Sequence, residues 1–208
     1  MTFILAHGKF GESAIRLVRL VRKGDRQELR DLSVQLLVKG DFERGFTSGE
    51  DLPLGGDQAI ADRVYALAHE HGEDQIEPFA LVLSQHVVRF FPSVAEAEVE
   101  IAERLWSRVV VSGRPHDHAF SATGEQRLAH VIRTADAVHV EAGFAGMPIL
   151  RVLSDQSDGT SGLLSGTLTA RWRYGWLDVP YALHWQQVRN VVLETFANHA
   201  AESMPQLL

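Results

Sequence analysis

Two histidines, His116 and His118, lie two positions apart in the segment RPHDHAF at residues 114–120. Side chains two apart in a strand point to the same face of a sheet, so both imidazoles would lie on one side and Asp117 on the other. Imidazole is a ligand of zinc and copper, and this spacing suits a metal site. Two ligands do not complete such a site, and structural hydrogen bonding by the pair is the alternative interpretation.

The composition excludes several kinds of chemistry and of partner. The 208 residues include no cysteine, which removes disulfides, thiolate catalysis and cysteine-based zinc or iron–sulfur sites. The formal net charge of −7 argues against a nucleic-acid partner, because binding phosphates requires a basic face. No apolar run reaches the length of a membrane span, and no phosphate loop, nucleophile elbow or zinc-helix motif is present. A cytoplasmic protein is therefore the expectation.

The first part of the sequence predicts the order strand, strand, helix, helix, strand, strand. Strand patterns lie at residues 14–22, 29–38, 97–101 and 119–134, and helix patterns at 57–71 and up to residue 90. Asp74 with Glu77 resembles a capping arrangement for the second helix, whose predicted buried face ends with Phe90. Residues 96–101 alternate glutamate with apolar residues, which predicts a strand with one buried and one solvated face.

The same order then restarts and is cut short. Strands are predicted at residues 137–153, with an interruption near 143–146, and at 163–174, followed by a helix at 183–199. Leu183 and Phe196 are predicted on the buried side of this helix. A two-stranded hairpin with one helix is marginal alone, so the second half must complete its sheet on the first half or on another chain. We therefore predict a complete unit at 1–135, a shortened second unit at 136–208, and an obligate oligomer.

Five segments together carry a resemblance to a known family. They are VKGDFE at 38–43, VYALAHEH at 64–71, PFALVLSQH at 78–86, RPHDHAF at 114–120 and TARWRY at 169–174. In this order and at roughly these distances they resemble urate oxidase (uricase), in a divergent form with a short C-terminus. The resemblance implies an α+β tunnelling fold of tandem ββααββ units, with antiparallel sheets, helices on one face, and a barrel that is closed by oligomerisation.

The resemblance also implies a reaction and the residues for it. Uricases use no metal and no organic cofactor; urate is deprotonated, and its anion reacts directly with dioxygen as the co-substrate. Lys9, in HGKF, matches the family's lysine before the first strand. Without gaps, Asp57 stands where the family has a threonine and Gln58 where it has an aspartate; with a one-residue shift, Gly56 and Asp57 take those places. Gly162 stands where the arginine that clamps urate is expected, and Arg171 is a further candidate for attracting an anion into the tunnel.

Each of these residues also has a structural interpretation. Asp57 is well placed to cap the first helix; if it lies beside Lys9, it forms a salt bridge or takes the proton itself. Burial makes a lysine a better base, whereas an adjacent carboxylate stabilises its ammonium form. Lys9 and Arg171 could equally be surface residues.

The sequence thus predicts a uricase-like, cofactor-independent oxidoreductase that acts on urate or another purine-like acidic heterocycle, with Lys9 and Asp57 handling protons. Gln58 and Arg171 are the predicted substrate-binding residues. One alternative is a noncatalytic binding or partner subunit, which a longer related subunit would complete. The other is a metal-dependent activity at His116 and His118. The expected partners are a small heterocyclic substrate and copies of the same chain.

Overall fold

The computed structural model of the protein describes residues 8–40, 42, 57–71, 75–154 and 161–198. The strands are β1 (Lys9–Lys23), β2 (Arg26–Gly40), β3 (Val94–Val111), β4 (Arg114–Thr134), β5 (Val138–Ser154) and β6 (Ser161–Arg173). The helices are α1 (Asp57–His71), α2 (Ile76–Phe90) and α3 (Tyr181–Asn198). This order of elements confirms the prediction, although the first four strands are longer than their apolar patterns indicated.

The strands form one antiparallel sheet whose spatial order follows the chain from β1 to β6. Tight turns set this order: Gly24 in the first has φ +64°, and Ser112 and Gly113 in the β3–β4 turn have φ values of +51° and +77°. Positive φ at both central residues gives the turn that matches the twist of paired strands.

The two halves of the chain share this sheet, because β4 pairs with β5 from Gln126 opposite Ala145 to Arg133 opposite Val138. The second half therefore completes its sheet on the first, one of the two arrangements that the sequence predicted. The proposed boundary between residues 135 and 136 falls in the β4–β5 turn. A division into two domains there remains a prediction.

The helices cover one face of the sheet and leave the other open. The central parts of β2 and β3, residues 32–38 and 97–101, place an apolar residue at every second position, which directs one set of side chains toward the helices. The buried core on this side includes Val34, Leu36, Val99, Ile101 and Val131 from the sheet and Ile60, Val64, Phe79 and Leu83 from α1 and α2. An α+β architecture with helices on one face is confirmed.

The two ends of α2 differ from the prediction. Gln75 is the N-cap and makes no side-chain capping bond. Glu77 does not cap the helix but is buried, and it accepts two bonds from Nη2 of Arg127 on β4, at 2.9 and 2.7 Å. Phe90 is 60% exposed and lies against the ring of His86. Asp74, the other residue of the predicted cap, lies outside the described residues. Glu77 bonds instead to a strand residue far away in sequence, and the predicted burial of Phe90 was wrong because helical periodicity does not show which end turns lie over the sheet.

α3 packs on the same face, over β5 and β6. Phe196 is buried with Phe144 and Met147, as predicted, whereas Leu183 is 52% exposed and that prediction was wrong. The first turns of α3 face the sheet through Trp185, whose Nε1 donates to the carbonyl of Gly143 at 2.7 Å. None of the three described helices combines the length and the apolar character that crossing a membrane requires.

The predicted interruption in β5 is present as a shift of register between Phe144 and Met147. Gly146, inside the shift, has φ +71°. A Cβ atom there would lie 2.7 Å from the carbonyl oxygen of Gly124. Only glycine combines that backbone conformation with that close approach, so this residue allows β5 to bend under α3.

Candidate active site

The open face of the sheet carries a band of charged side chains that crosses every strand. The residues that point away from the helices alternate with the core residues of β2 and β3. The band consists of Lys9, Lys39, Glu96, Glu98, Glu100, His130, Glu141, Arg171 and Arg173. Four carboxylates each have a basic partner in this band, and His130 lies between two of them.

Lys9 begins β1 and lies opposite Lys39 on β2. Its Nζ donates to Oε2 of Glu98 at 2.5 Å, and the lysine side chain is 43% exposed. Lys9 is therefore neither deeply buried nor free: a carboxylate holds its amine at the open face. The predicted carboxylate partner was Asp57, and the partner that the structure describes is Glu98.

His130 continues the contacts of Lys9 across the sheet. Its Nε2 lies 3.1 Å from the other oxygen of Glu98, Oε1, and its Nδ1 lies 3.7 Å from Oε2 of Glu141. Glu141 in turn accepts from Nη2 of Arg173 at 2.9 Å. The result is an unbroken chain of polar groups from β1 to β6, with an imidazole at its centre.

The two carboxylates in this chain are held in the charged form. The hydrogen bond from Lys9 is the largest influence that lowers the pKa of Glu98, and the bond to His130 lowers it further. The pKa of Glu141 is lowered chiefly by its hydrogen bond from Arg173. In both cases partial burial opposes the shift but does not overcome it.

Two further ion pairs lie beside this chain. Lys39 on β2 donates to Glu96 at 2.5 Å, and neither residue contacts an imidazole in the described part of the structure. Arg171 on β6 donates to Glu100 at 2.7 Å. The sequence-predicted substrate residue Arg171 thus lies on the open face with its charge already paired, and an anionic ligand would compete with Glu100 for it.

Asp57 and Gln58 are the first residues of α1. Only four residues separate the end of α1 from Ile76, so these two helix ends lie close together. α2 then ends close to Val94, which pairs with Gly40 beside the start of β1. This path places the beginning of α1 at the same end of the sheet as Lys9. The side chains of Asp57 and Gln58 lie outside the described residues, so their roles stay predictions.

His116 and His118 lie on β4 near the β3–β4 turn, away from the band. Their ring centroids are 6.2 Å apart, and Nδ1 of His116 accepts from the backbone amide of His118 at 3.1 Å. The described residues contain no group of three or more side chains arranged to hold a metal ion. The observed hydrogen bond is of the structural kind.

Sequence reasoning did not assign a role to Glu98, His130 or Glu141. Glu98 was visible as part of the alternating glutamates of β3, which indicated a solvated face. The other two had no such signal, because their meeting depends on the register of three strands. Lys9 and Glu98 are 89 positions apart, and Glu98 and His130 are 32 apart.

The sequence of this chain is similar to the sequences of known uricases. No protein-family model matches the chain. The uricase of Arthrobacter globiformis is 27% identical over 218 residues, which include 99% of this chain and 70% of that protein. The uricase of Danio rerio is 25% identical over 209 residues, with 90% and 68% covered.

Solved structures give the same result. The crystal structure of the uricase from Arthrobacter globiformis matches with a TM-score of 0.83 at 27% identity and covers 98% of this chain and 73% of that chain. A uricase from Bacillus fastidious matches with a TM-score of 0.77 at 16% identity, covering 96% and 75%, and this likeness concerns the fold alone.

The antiparallel sheet, its helices on one face and its charged open face define an α+β protein of the tunnelling fold. Sequence and structural similarity then agree on one group of such proteins. That group is the uricases, to which this chain is similar in sequence and in structure.

Proposed function

We propose that this protein is a uricase-like oxidoreductase that works without an organic cofactor or a metal and oxidises urate or another purine-like acidic heterocycle. Dioxygen is the co-substrate. The relatives of this chain are named uricases, and the observation that carries the proposal is Lys9, which lies at the start of β1 with its amine on the open face.

The proposed chemistry begins with a proton. A heterocycle of this class reacts with dioxygen after it has lost a proton, so the site must accept one and hold the resulting anion. Lys9 accepts the proton, and Asp57 at the start of α1 is the second proton-handling residue. Gln58 and Arg171 contact the ring; Arg171 offers a guanidinium, which suits an anion with two adjacent acceptors.

The test is to incubate urate in air with the purified protein and to follow its ultraviolet absorbance together with dissolved oxygen. We expect a coupled loss of both, which Lys9→Ala abolishes. Lys39→Ala is the matched control, because Lys39 lies opposite Lys9 and makes an equivalent bond to a glutamate. This control should retain turnover.

Loss of neither urate nor oxygen with the unmodified protein would reject the assignment to urate. A screen across other purines and related heterocycles, read by oxygen consumption, would then decide whether any oxidation survives. Equal losses in Lys9→Ala and Lys39→Ala would mean that Lys9 has no special role.

We also propose that the protein is a homo-oligomer. In the described residues β1 and β6 each pair with one neighbour only, and an open sheet edge tends to pair. Both margins carry exposed apolar side chains, with Val18 and Leu20 on β1 56% and 59% exposed and Leu163 on β6 70% exposed. Sedimentation of the purified chain should give a dimer or larger; a stable monomer would favour the alternative, a noncatalytic subunit that requires a longer partner.

A further inference from the structure

The two lysine–glutamate pairs of the open face differ in one respect. In each pair the Nζ–oxygen distance is 2.5 Å. The exposures of the lysine and glutamate side chains are 43% and 20% in the Lys9 pair and 41% and 23% in the Lys39 pair. Among the described residues, only the Lys9 pair has a third member, because the second oxygen of Glu98 contacts His130. An ion pair with a purely structural role does not need that third contact.

We propose that Glu98 and His130 are positioning residues for Lys9 and form a relay that removes its resting proton. This inference rests on the proposed function, since it assigns the residues that prepare Lys9 for the same reaction. Both act through Lys9, and neither is proposed to contact the substrate. Glu141 is the outer carboxylate that orients the imidazole from its other side.

The relay follows from the contacts. Nζ of Lys9 lies 2.5 Å from Oε2 of Glu98, and an ammonium at this position must lose a proton before it can accept one from a substrate. The proton passes from Nζ of Lys9 to Oε2 of Glu98, and the transiently neutral carboxyl group turns about its Cγ–Cδ bond to deliver that proton to Nε2 of His130, whose Nδ1 carries the ring proton toward Glu141. Lys9 becomes a neutral amine, Glu98 returns to a carboxylate, and His130 becomes an imidazolium; no other reactant is required.

His130 is placed to receive that proton by the contacts at its two ring nitrogens. Glu98 and Glu100 face it from β3, and Glu141 faces it from β5. Its Nε2 lies 3.1 Å from Glu98 and its Nδ1 3.7 Å from Glu141, and a hydrogen bond at one ring nitrogen fixes which nitrogen can receive a proton. The cations nearest to this group, Lys9, Arg171 and Arg173, bond to the far sides of the same carboxylates.

The first experiment measures kcat and KM for urate across pH 5 to 9 in the unmodified protein and in His130→Gln, Glu98→Gln and Glu96→Gln. We expect His130→Gln and Glu98→Gln to lower kcat by about 10-fold to 100-fold while KM changes by less than about twofold, with a displaced acid limb in the pH profile. Glu96→Gln is the control and should leave kcat and its profile unchanged. A KM effect alone, or equal effects in all three variants, would overturn the relay.

The second experiment needs no turnover. NMR titration of the His130 imidazole in the unmodified protein, in Lys9→Met and in Lys39→Met should show a displaced titration midpoint in Lys9→Met only. An unchanged midpoint in Lys9→Met would overturn the relay even in an active enzyme. If the midpoint is displaced in Lys9→Met but the protein oxidises no heterocycle, the proposed function is rejected while the coupling between Lys9 and His130 stands. Failure of the relay and failure of the proposed function are therefore distinguishable.

Discussion

The helix-covered face and the open face of the sheet each contain an ion pair between a glutamate and a basic residue, and the two pairs differ in burial. On the covered face, Glu77 is fully buried and Arg127 nearly so, and their two bonds lie among helices α2 and α3 and the sheet. On the open face, Lys9 and Glu98 form one short bond that solvent reaches. Burial makes the first pair hard to break and chemically inert, whereas exposure leaves the second weak but available to a ligand.

The surroundings of Arg127 strengthen this contrast. Its guanidinium lies over the ring of Trp185, with 5.4 Å to the centroid, and its Nε finds no partner among the described residues. The group is therefore fixed by packing as well as by charge. Among the described residues nothing comparable covers Lys9, whose amine is held by Glu98.

The largest effect should come from breaking the buried pair. Arg127→Met leaves Glu77 as an unpaired buried carboxylate, which should reduce the free energy of unfolding by about 3–5 kcal/mol. Urea denaturation followed by circular dichroism measures this. The double variant Arg127→Met with Glu77→Leu is the control and should recover most of the loss, since it removes both charges. A single-variant loss below about 1 kcal/mol would mean that the two faces do not differ as described.

A smaller loss of stability is expected when a neutral hydrogen-bonding group on the helix-covered face is removed. Ser84 is fully buried on α2; its Oγ accepts from Nε of Arg133 at 3.1 Å and donates to the carbonyl of Leu81 at 3.0 Å. Ser84→Ala removes both bonds and should cost about 1–2 kcal/mol in the same denaturation assay. Ser84→Thr, which keeps the hydroxyl, should lose less; equal losses would assign the effect to packing.

The sequence was sufficient to predict the core residues of the helix-covered face. It was less informative about the contacts on the open face. The period of two in β2 and β3 identified core residues such as Val34 and Val99, because burial of alternate side chains is a local property of a strand. The interruption near Gly146 was also visible, since it depends on glycine at a particular position. These local signals account for the order of elements.

Contacts between distant strands were beyond such signals. Glu77 was assigned to a helix cap because a capping residue is sought nearby, whereas its partner Arg127 is 50 positions away. His130 had no pattern of its own, and it acquires a role only when the register places it between two carboxylates. Predicting these pairs would require the registers of β3 with β4 and of β4 with β5, which no single segment encodes.

Acid should affect the open face in a defined direction. Glu98 and Glu141 have folded-state pKa values below their ordinary values because of Lys9 and Arg173. A carboxyl group with a depressed folded pKa contributes stability above its unfolded pKa and loses it as the pH falls through the folded pKa. The unfolding free energy of the unmodified protein should therefore fall below about pH 4.5, and the fall should be shallower in Glu98→Gln with Glu141→Gln. An identical pH dependence in both proteins would show that neither carboxylate contributes.

The smallest effect on stability should be shared by the two matched pairs. Lys9→Met and Lys39→Met each remove one exposed ion pair but keep most of the side-chain stem, so each should lower the free energy of unfolding by less than about 1 kcal/mol. Their geometry and exposure are nearly equal, and urea denaturation should therefore not separate them. If Lys9→Met alone abolishes turnover under those conditions, its effect cannot come from folding and is assigned to the chemistry proposed for the Lys9 amine. A much larger stability loss in Lys9→Met would remove that argument, because the inactive variant would then differ from its control in folding as well.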